Sequence, residues 1–537
     1  MYRFFEILPG TLAWLTLILM VLCSWRLPVF VSVFIIFFDI YWFLKIIYLS
    51  LHLRSTFSAM KANLKINWLR RLDDQSRVGA PTAEGASELV DWRDIYHLII
   101  FPIYREPYQV AKESFESLAG ANYPKDRFIV VLATEERGGD AAWQTAKRIE
   151  QEFGSRFFKF LVTVHPANLP GEIPGKGSNE TWAAKEAKRL IIDPLINTRT
   201  NADITRTVAE TIQHLSASSQ RQSAFSYENI LVSVFDIDTQ IFSEYFGRLT
   251  YVFLHSPDRL RAIYQPIPLF TNNIYQAPAL ARVIAFSSTF WQMMQQSRPE
   301  RLTSFSSQSL PFKALLDIGF WHTDVVSEDS RIFWQCYLHY HGNFRVEPLL
   351  YPVSMDSNVG PTFWQTLKQV YKQQRRWAWG VENTPYLFDG FRKDSLIPRA
   401  KKWYWGFTDL EGRHSWATNS IMIFILGWLP TILGGRHFNK TLLSYSLPSV
   451  TRFIIELSMV GVASSAILTM LILPPRPRWF RWRHYFLFFI QWLLLPITLN
   501  VFGALPALEA QTRLMLGGRW RLGFWPTPKS RTAMNNE

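Results

Sequence analysis

Ile230-Leu-Val-Ser-Val-Phe-Asp236-Ile-Asp238 is the stretch on which the fold class turns. Its first six residues are apolar apart from one serine, and the run then stops at two carboxylates. A continuous apolar run of this length, bounded by polar turns, suits a strand buried on both faces of a parallel sheet. Three upstream runs read alike: 98–101 before Pro102, 128–132 before Ala-Thr-Glu135-Glu136, and 157–164 before His165-Pro166. Between the first two, 108–118 places its apolar residues at helical spacing. Strands and helices alternating in this way predict an α/β, Rossmann-like, doubly wound sheet. Such sheets bind ligands at the carboxyl ends of their strands, where Glu106, Glu135 and Asp236 fall. Residues 192–228 are polar and rich in Thr, Ser and Gln; they read as a helical insertion or mobile loop with no chemistry.

On either side of this domain the chain changes character. A bilayer-spanning helix needs about 20 mostly apolar residues. Residues 4–8 and 11–23 supply one candidate, broken by Arg26-Leu27-Pro28, and 30–51 supplies a second that carries Asp39 and Lys45. A cleaved signal peptide is the poorer reading, because another apolar segment follows at once and no small-residue cleavage site precedes it. Apolar runs return at 416–433, 453–473 and 485–501. The 22 Trp and the 15% aromatic share suit membrane interfaces.

The net charge is +14, and its placement identifies its use. Arg54, Lys61, Lys65, Arg70 and Arg71 follow the first apolar pair, Lys401 and Lys402 precede the third run, and Arg476, Arg478, Arg481 and Arg483 separate the last two. Basic residues prefer the cytoplasmic side, so the central domain is expected there, and the charge is no nucleic-acid footprint. Five spans would put the basic tail (Arg513, Arg519, Arg521, Lys529, Arg531) outside. Pro496, Gly503 and Pro506 offer a hairpin or re-entrant turn that would return it to the cytoplasm as a sixth crossing. Cys23 and Cys336 are the only cysteines, which argues against a disulfide framework, and nothing in the sequence looks like a zinc site.

Three short motifs carry chemistry. Asp236 and Asp238 leave a buried strand side by side; such a pair suits Mg²⁺ or Mn²⁺ bridging to a diphosphate, although acids at strand ends are common without a metal. Ser327-Glu328-Asp329 precedes a helical stretch from 331 to 339. It suits an ordinary helix start, with serine as cap and acids on the dipole, and it equally suits a positioned general base. Gln373-Gln-Arg-Arg376-Trp377 lies in a stretch rich in Trp and basic residues. It suits an interfacial amphipathic helix, and also an arginine for pyrophosphate beside an indole for a sugar ring.

Asp-x-Asp, then Ser-Glu-Asp, then Gln-x-x-Arg-Trp, in this order between membrane segments, resembles the family 2 glycosyltransferases. By layout the chain is most similar to the membrane-embedded synthases of cellulose and hyaluronan. The resemblance covers roughly 95–385 and the flanking apolar segments. It implies a GT-A-like catalytic domain and a role for each matching residue. The opening strand with Tyr104 and Glu106 resembles a Tyr-Asn-Glu that meets the nucleotide, with Arg105 in place of the Asn. Glu135 stands where an acid contacts the base, without the usual Asp-Asp. Gly175-Lys176-Gly-Ser-Asn179 resembles a Lys-Gly-x-x-Asn element beside the donor. The resemblance further implies that Asp236 faces the nucleotide-sugar and the metal, and that Asp238 binds the metal. Asp329 would be the base, Glu328 and Trp377 would serve the acceptor, and Gln373 and Arg376 the donor.

The expected enzyme is an inverting, metal-dependent glycosyltransferase that builds a polysaccharide from a nucleotide-sugar, a UDP-sugar in the first instance, and exports it. A non-processive transferase acting on a lipid-linked acceptor is the alternative, and a transporter or receptor with a degenerate sugar-binding domain is a third. The expected organisation is two transmembrane helices (1–51), a cytoplasmic linker (52–94), the catalytic domain (95–360), an interfacial region (361–415), three or four C-terminal crossings (416–510) and a basic tail (511–537). The expected partners are the donor, a glycan or lipid-linked acceptor and membrane lipid. The expected location is the cytoplasmic membrane.

Overall fold

The computed structural model describes residues 1–78, 90–197 and 225–527. Most of the polar insertion, and the tail residues Lys529 and Arg531, lie outside these. The chain divides into two compact units. One comprises Met1–Ala59, Leu269–Arg301 and Asp356–Glu537; the other comprises Met60–Pro268 and Leu302–Met355.

The second unit is built on an eight-stranded sheet. The four runs read from the sequence are β1 (Tyr96–Pro102), β2 (Phe128–Glu135), β3 (Lys159–His165) and β4 (Ile230–Val234). They pair in parallel, with Ile100 opposite both Val131 and Val234. Every residue of β2 is buried and so is every residue of β4, as the unbroken apolar runs require. The helix Tyr108–Ala119 follows β1 and buries Val110, Ala111, Ser114, Phe115 and Leu118, one helical stripe. Gly139–Phe153 follows β2 and buries Ala142, Ala146, Ile149 and Phe153. Phe115 and Phe153 have no exposed surface; burying each ring is worth roughly 1.5–3 kcal/mol.

Beyond β4 the sheet is not doubly wound. β5 (Gln240–Ile241), β6 (Ala262–Leu269), β7 (Ser309–Pro311) and β8 (Arg345–Ser354) complete it, giving the order β3-β2-β1-β4-β7-β6-β8-β5, with β4–β7, β6–β7 and β5–β8 antiparallel. The α/β class therefore holds, while the sheet is mixed. The parallel half brings Tyr104, Glu135, His165 and Asp236 to one set of strand ends.

The other unit is helical. Tyr2–Arg26, Pro28–Asn63, Leu442–Ile472 and Trp482–Leu516 are long and apolar enough to cross a membrane. Arg399–Phe424 and Leu426–Leu433, bent by 48°, make a fifth if counted as one span. Arg26 ends the first helix and Pro28 opens the second, where a proline costs no hydrogen bond. Phe30, Phe37 and Leu51 are each more than three-fifths exposed, an apolar surface that lipid would cover. Lys45 pairs with Glu411 at 3.0 Å, and Arg301 meets the same carboxylate at 3.4 Å. The stretch through Pro496, Gly503 and Pro506 does not fold back: it stays one helical run, tightened at Gln491–Leu494 and widened at Asn500–Ala504. Leu269–Arg301, expected within the catalytic domain, clusters with these helices.

Candidate active site

The site is built around the first turn of the helix Lys176–Ala187. Ser178 Oγ donates to the carbonyls of Ile173 (3.1 Å) and Gly175 (3.0 Å), and Asn179 Nδ2 donates to Ala133 O at 2.8 Å. The last bond ties the turn to the end of β2. Gly177 then permits a close approach. A methyl group there would lie 3.0 Å from Glu328 Cβ and 3.2 Å from the carbonyl oxygen of His322. The helix Glu328–His339 consequently starts against the helix that carries Lys176.

Lys176 is the hub. Its Nζ lies 2.9 Å from Asp329 Oδ1, 3.0 Å from Asp236 Oδ1 and 3.4 Å from Glu180 Oε1, and the residue is only 9% exposed. Burial by itself would push the ammonium down. The carboxylates of Asp236, Asp329, Glu180 and Glu328 outweigh it and hold Lys176 well above the ordinary lysine range. Glu180 moves upward as well: burial drives it, Lys176 opposes, and the neighbouring acids add to the rise. Three carboxylates thus meet one buried ammonium, and Glu328 adds its charge nearby.

The segment 304–309 braces two of the acids. Ser306 Oγ donates to Asp236 Oδ2 at 2.7 Å, while Ser304 Oγ and Gln308 Nε2 donate to the backbone oxygen of Asp329 at 2.6 and 3.2 Å. Ser307, between them, holds a φ of 65°, strained for a residue with a Cβ. Ser327 precedes the helix without a side-chain cap bond. The capping account of Ser-Glu-Asp therefore fails for the serine, while Glu328 and Asp329 do lie in the first turn, at the positive end of the helix dipole.

The remaining expected residues are placed as follows. Asp238 is fully buried on the loop after β4. Glu106 Oε2 accepts from the amides of Tyr104 (2.7 Å) and Arg105 (3.1 Å) and so shapes its own loop. The guanidiniums of Arg105 and Arg137 lie over the Tyr104 ring at 4.9 and 5.4 Å. Glu135 pairs with Arg137; burial raises its carboxyl, against the pull of that arginine. Among the described residues, the carboxylates grouped closely enough to hold one cation are Glu180, Glu328 and Asp329, with oxygens within 4.8 Å of one another. Asp236 and Asp238 are not in that trio.

Gln373, Arg376 and Trp377 belong to the helical unit, on Phe363–Ala378. Thr362 caps this helix through Oγ1. Tyr371 OH (3.0 Å) and Arg375 Nη1 (2.6 Å) both donate to Glu509. Arg376 lies over the Phe524 ring at 5.3 Å, Trp377 packs on Phe270 at 5.8 Å, and Gln373 is buried.

Sequence reasoning missed Glu180 and the serine-rich brace. Glu180 had a readable signal, since it lies one helical turn after Lys176 and i,i+4 pairs of opposite charge face each other. The roles of Ser304, Ser306 and Gln308 depend wholly on tertiary approach.

Compared with family models and with curated proteins, the chain matches none. Among solved structures it is similar to the mannosyltransferase PcManGT from Pyrobaculum calidifontis in complex with GDP-Man and Mn²⁺. That likeness has 12% identity over 84% of this chain and 99% of that one, with a TM-score of 0.36. It is also similar to residues 1–349 of S. aureus TarS in complex with UDP-GlcNAc, with 12% identity over 70% of this chain and 91% of that one and a TM-score of 0.34. Likenesses this distant transfer no property to the chain.

Proposed function

We propose that this chain is a membrane glycosyltransferase of the GT-A type that transfers a sugar from a nucleotide-sugar with inversion and extends a polysaccharide. The observation that carries the reading is the meeting of Lys176, Asp236 and Asp329 at one ammonium, beside the carboxyl ends of parallel strands. Three residues from separate motifs, far apart in sequence, converge where a donor diphosphate and an acceptor hydroxyl would have to meet.

The step is a single displacement. The acceptor oxygen bonds to the anomeric carbon, the bond from that carbon to the diphosphate oxygen breaks with its electron pair, and Asp329 takes the hydroxyl proton. As the structure stands, Asp329 Oδ1 is engaged by Lys176 Nζ at 2.9 Å. The donor's diphosphate competes for Lys176, and drawing the ammonium toward the phosphates leaves Asp329 free to accept the proton. Lys176 then faces the charge that grows on the leaving group.

Mg²⁺ or Mn²⁺ suits this donor set, which is all oxygen and carries more negative than positive charge. Asp236 and Asp238 would hold the ion by motif, with Glu180, Glu328 and Asp329 as the grouped alternative. When bound, such an ion supplies electrostatic stabilisation of the diphosphate. Chelation is expected to abolish transfer and either ion to restore it. Asp238→Asn is expected to raise the concentration of ion needed for half-maximal rate; full activity in chelator would remove the metal from the proposal.

Incubating the purified full chain with a panel of nucleotide-sugars, followed by product sizing, tests the reading as a whole. Long products support a synthase, single additions to a lipid-linked acceptor support the non-processive alternative, and no transfer or donor hydrolysis with any sugar overturns it. The Gln373–Trp377 motif has a separate test: Arg376→Ala is expected to lower turnover and Trp377→Ala to impair acceptor use. Wild-type elongation by both variants would leave the segment an interfacial anchor only.

A further inference from the structure

Pro474-Pro-Arg476-Pro-Arg478-Trp-Phe-Arg481-Trp-Arg483-His484 joins the helix Leu442–Ile472 to the helical run Trp482–Leu516 and overlaps the start of the latter. The reaction proposed above makes no use of it. It contains four arginines, and the chain has no Asp or Glu anywhere from 457 to 508. All four arginines are exposed. Trp479 and Trp482, interleaved with them, are 51% and 77% exposed.

A loose arginine-rich loop would be ordinary, but this one is fastened. Phe480 is 3% exposed and sits among Tyr275 (ring centroids 4.8 Å apart), Tyr485 (4.8 Å), His484 (5.1 Å, stacked) and Phe488 (5.3 Å). Tyr275 OH donates to Pro474 O at 2.6 Å. Prolines 474, 475 and 477 fix three φ angles. The buried ring pulls the loop inward at one point and leaves the two indoles and the arginines facing out. Holding them in place beforehand lowers the ordering cost of binding.

We propose that segment 474–484 is a binding site for the phosphate headgroups of anionic phospholipid. Guanidinium matches a phosphate's oxygens in a two-point fork, whereas a zwitterionic headgroup brings its own cation to compete. Indole sits at headgroup depth. A basic cluster at the end of a spanning helix concentrates acidic lipid, and each arginine contributes to the preference. The proposal rests on reading the flanking helices as spans and is independent of the transferase assignment.

The full chain, purified in detergent, is mixed with dioleoylphosphatidylglycerol or dioleoylphosphatidylcholine and lipid adducts are counted by native mass spectrometry. The wild type is expected to retain the acidic lipid about tenfold or more over the zwitterionic one, given four arginines at the surface. A variant carrying Arg476→Gln, Arg478→Gln, Arg481→Gln and Arg483→Gln is expected to lose most of that preference. If that variant melts early, Arg476→Gln with Arg478→Gln, which leaves the helix start intact, is expected to lose a measurable part. Equal retention of both lipids by the wild type overturns the proposal, as does an unchanged preference in the folded variants. Complete displacement of the lipid by inorganic phosphate also overturns it, since the site would then be one for a free anion. Retention of neither lipid overturns the membrane reading with it.

Discussion

Asp329→Asn is expected to bind nucleotide-sugar about as well as the wild type while losing roughly 10²- to 10⁴-fold in transfer rate, the usual contribution of a positioned base. Asparagine keeps the shape and an oxygen that can accept a bond from Lys176 Nζ, now at 2.9 Å, but it cannot take the acceptor's proton. Ser304 and Gln308 hold the backbone oxygen of residue 329, not its side chain, so the substitution leaves the brace intact. Calorimetry with the donor and product formation, measured on the same preparation, separate binding from chemistry. Turnover above about a tenth of wild type, a loss far below that expected for a missing base, would mean that Asp329 only starts a helix.

Lys176→Met is expected to destabilise the protein by about 3–5 kcal/mol, the range for removing one partner from a buried ion pair. Methionine fills much of the space but leaves Asp236, Asp329, Glu180 and Glu328 facing one another. Adding Glu180→Gln is expected to recover part of the loss, since the two residues are in contact and their effects do not add. The pH dependence has a definite sign. Acids whose carboxyls are raised in the folded state, as Glu180 already is, stabilise a fold least when ionised. The deficit of Lys176→Met is therefore expected to widen as pH rises through the carboxylate range and to shrink on acidification. Thermal melting in detergent at a fixed scan rate, for wild type, both single variants and the double variant, supplies the comparison. A Lys176→Met protein that melts with the wild type at every pH would show that the ammonium neutralises nothing.

What was legible in the sequence followed hydrophobic patterning. β1, β2 and β4 are short apolar runs with polar ends, and burial on both faces leaves no other composition workable; β3, at the edge of the sheet, is only partly buried. The acids beyond β1, β2 and β4 were legible because a strand's end places its successor at the ligand-binding edge. The antiparallel half was not. β6 reads Ala-Ile-Tyr-Gln-Pro-Ile-Pro-Leu, and its two prolines, which cannot donate to a ladder, hide a strand that is nevertheless buried throughout. β7 is three residues long, too short for any periodicity. Ser304-Phe-Ser-Ser-Gln-Ser309 has the composition of a surface loop, yet Ser304, Ser306, Ser307, Gln308 and Ser309 are all buried; their bonds to Asp236 and Asp329 exist only once the sheet has formed.

The two units are interleaved along the chain. β6 and β7 are neighbours in the sheet, but between them the chain leaves for Leu269–Arg301, which clusters with the apolar helices, and then returns. This has a practical consequence for anyone who would express the sheet-bearing unit alone. Cutting at 60 and 355 keeps the apolar excursion without the helices it clusters with, and deleting 269–301 requires a new linker between adjacent strands. Biosynthesis meets the same constraint. β7 and β8 leave the ribosome only after that excursion has been made, so the sheet cannot close until a segment of the other unit already exists. Simple truncation is a poor route to a water-soluble form of the sheet-bearing unit, and replacing 269–301 by a short engineered turn is the change to attempt.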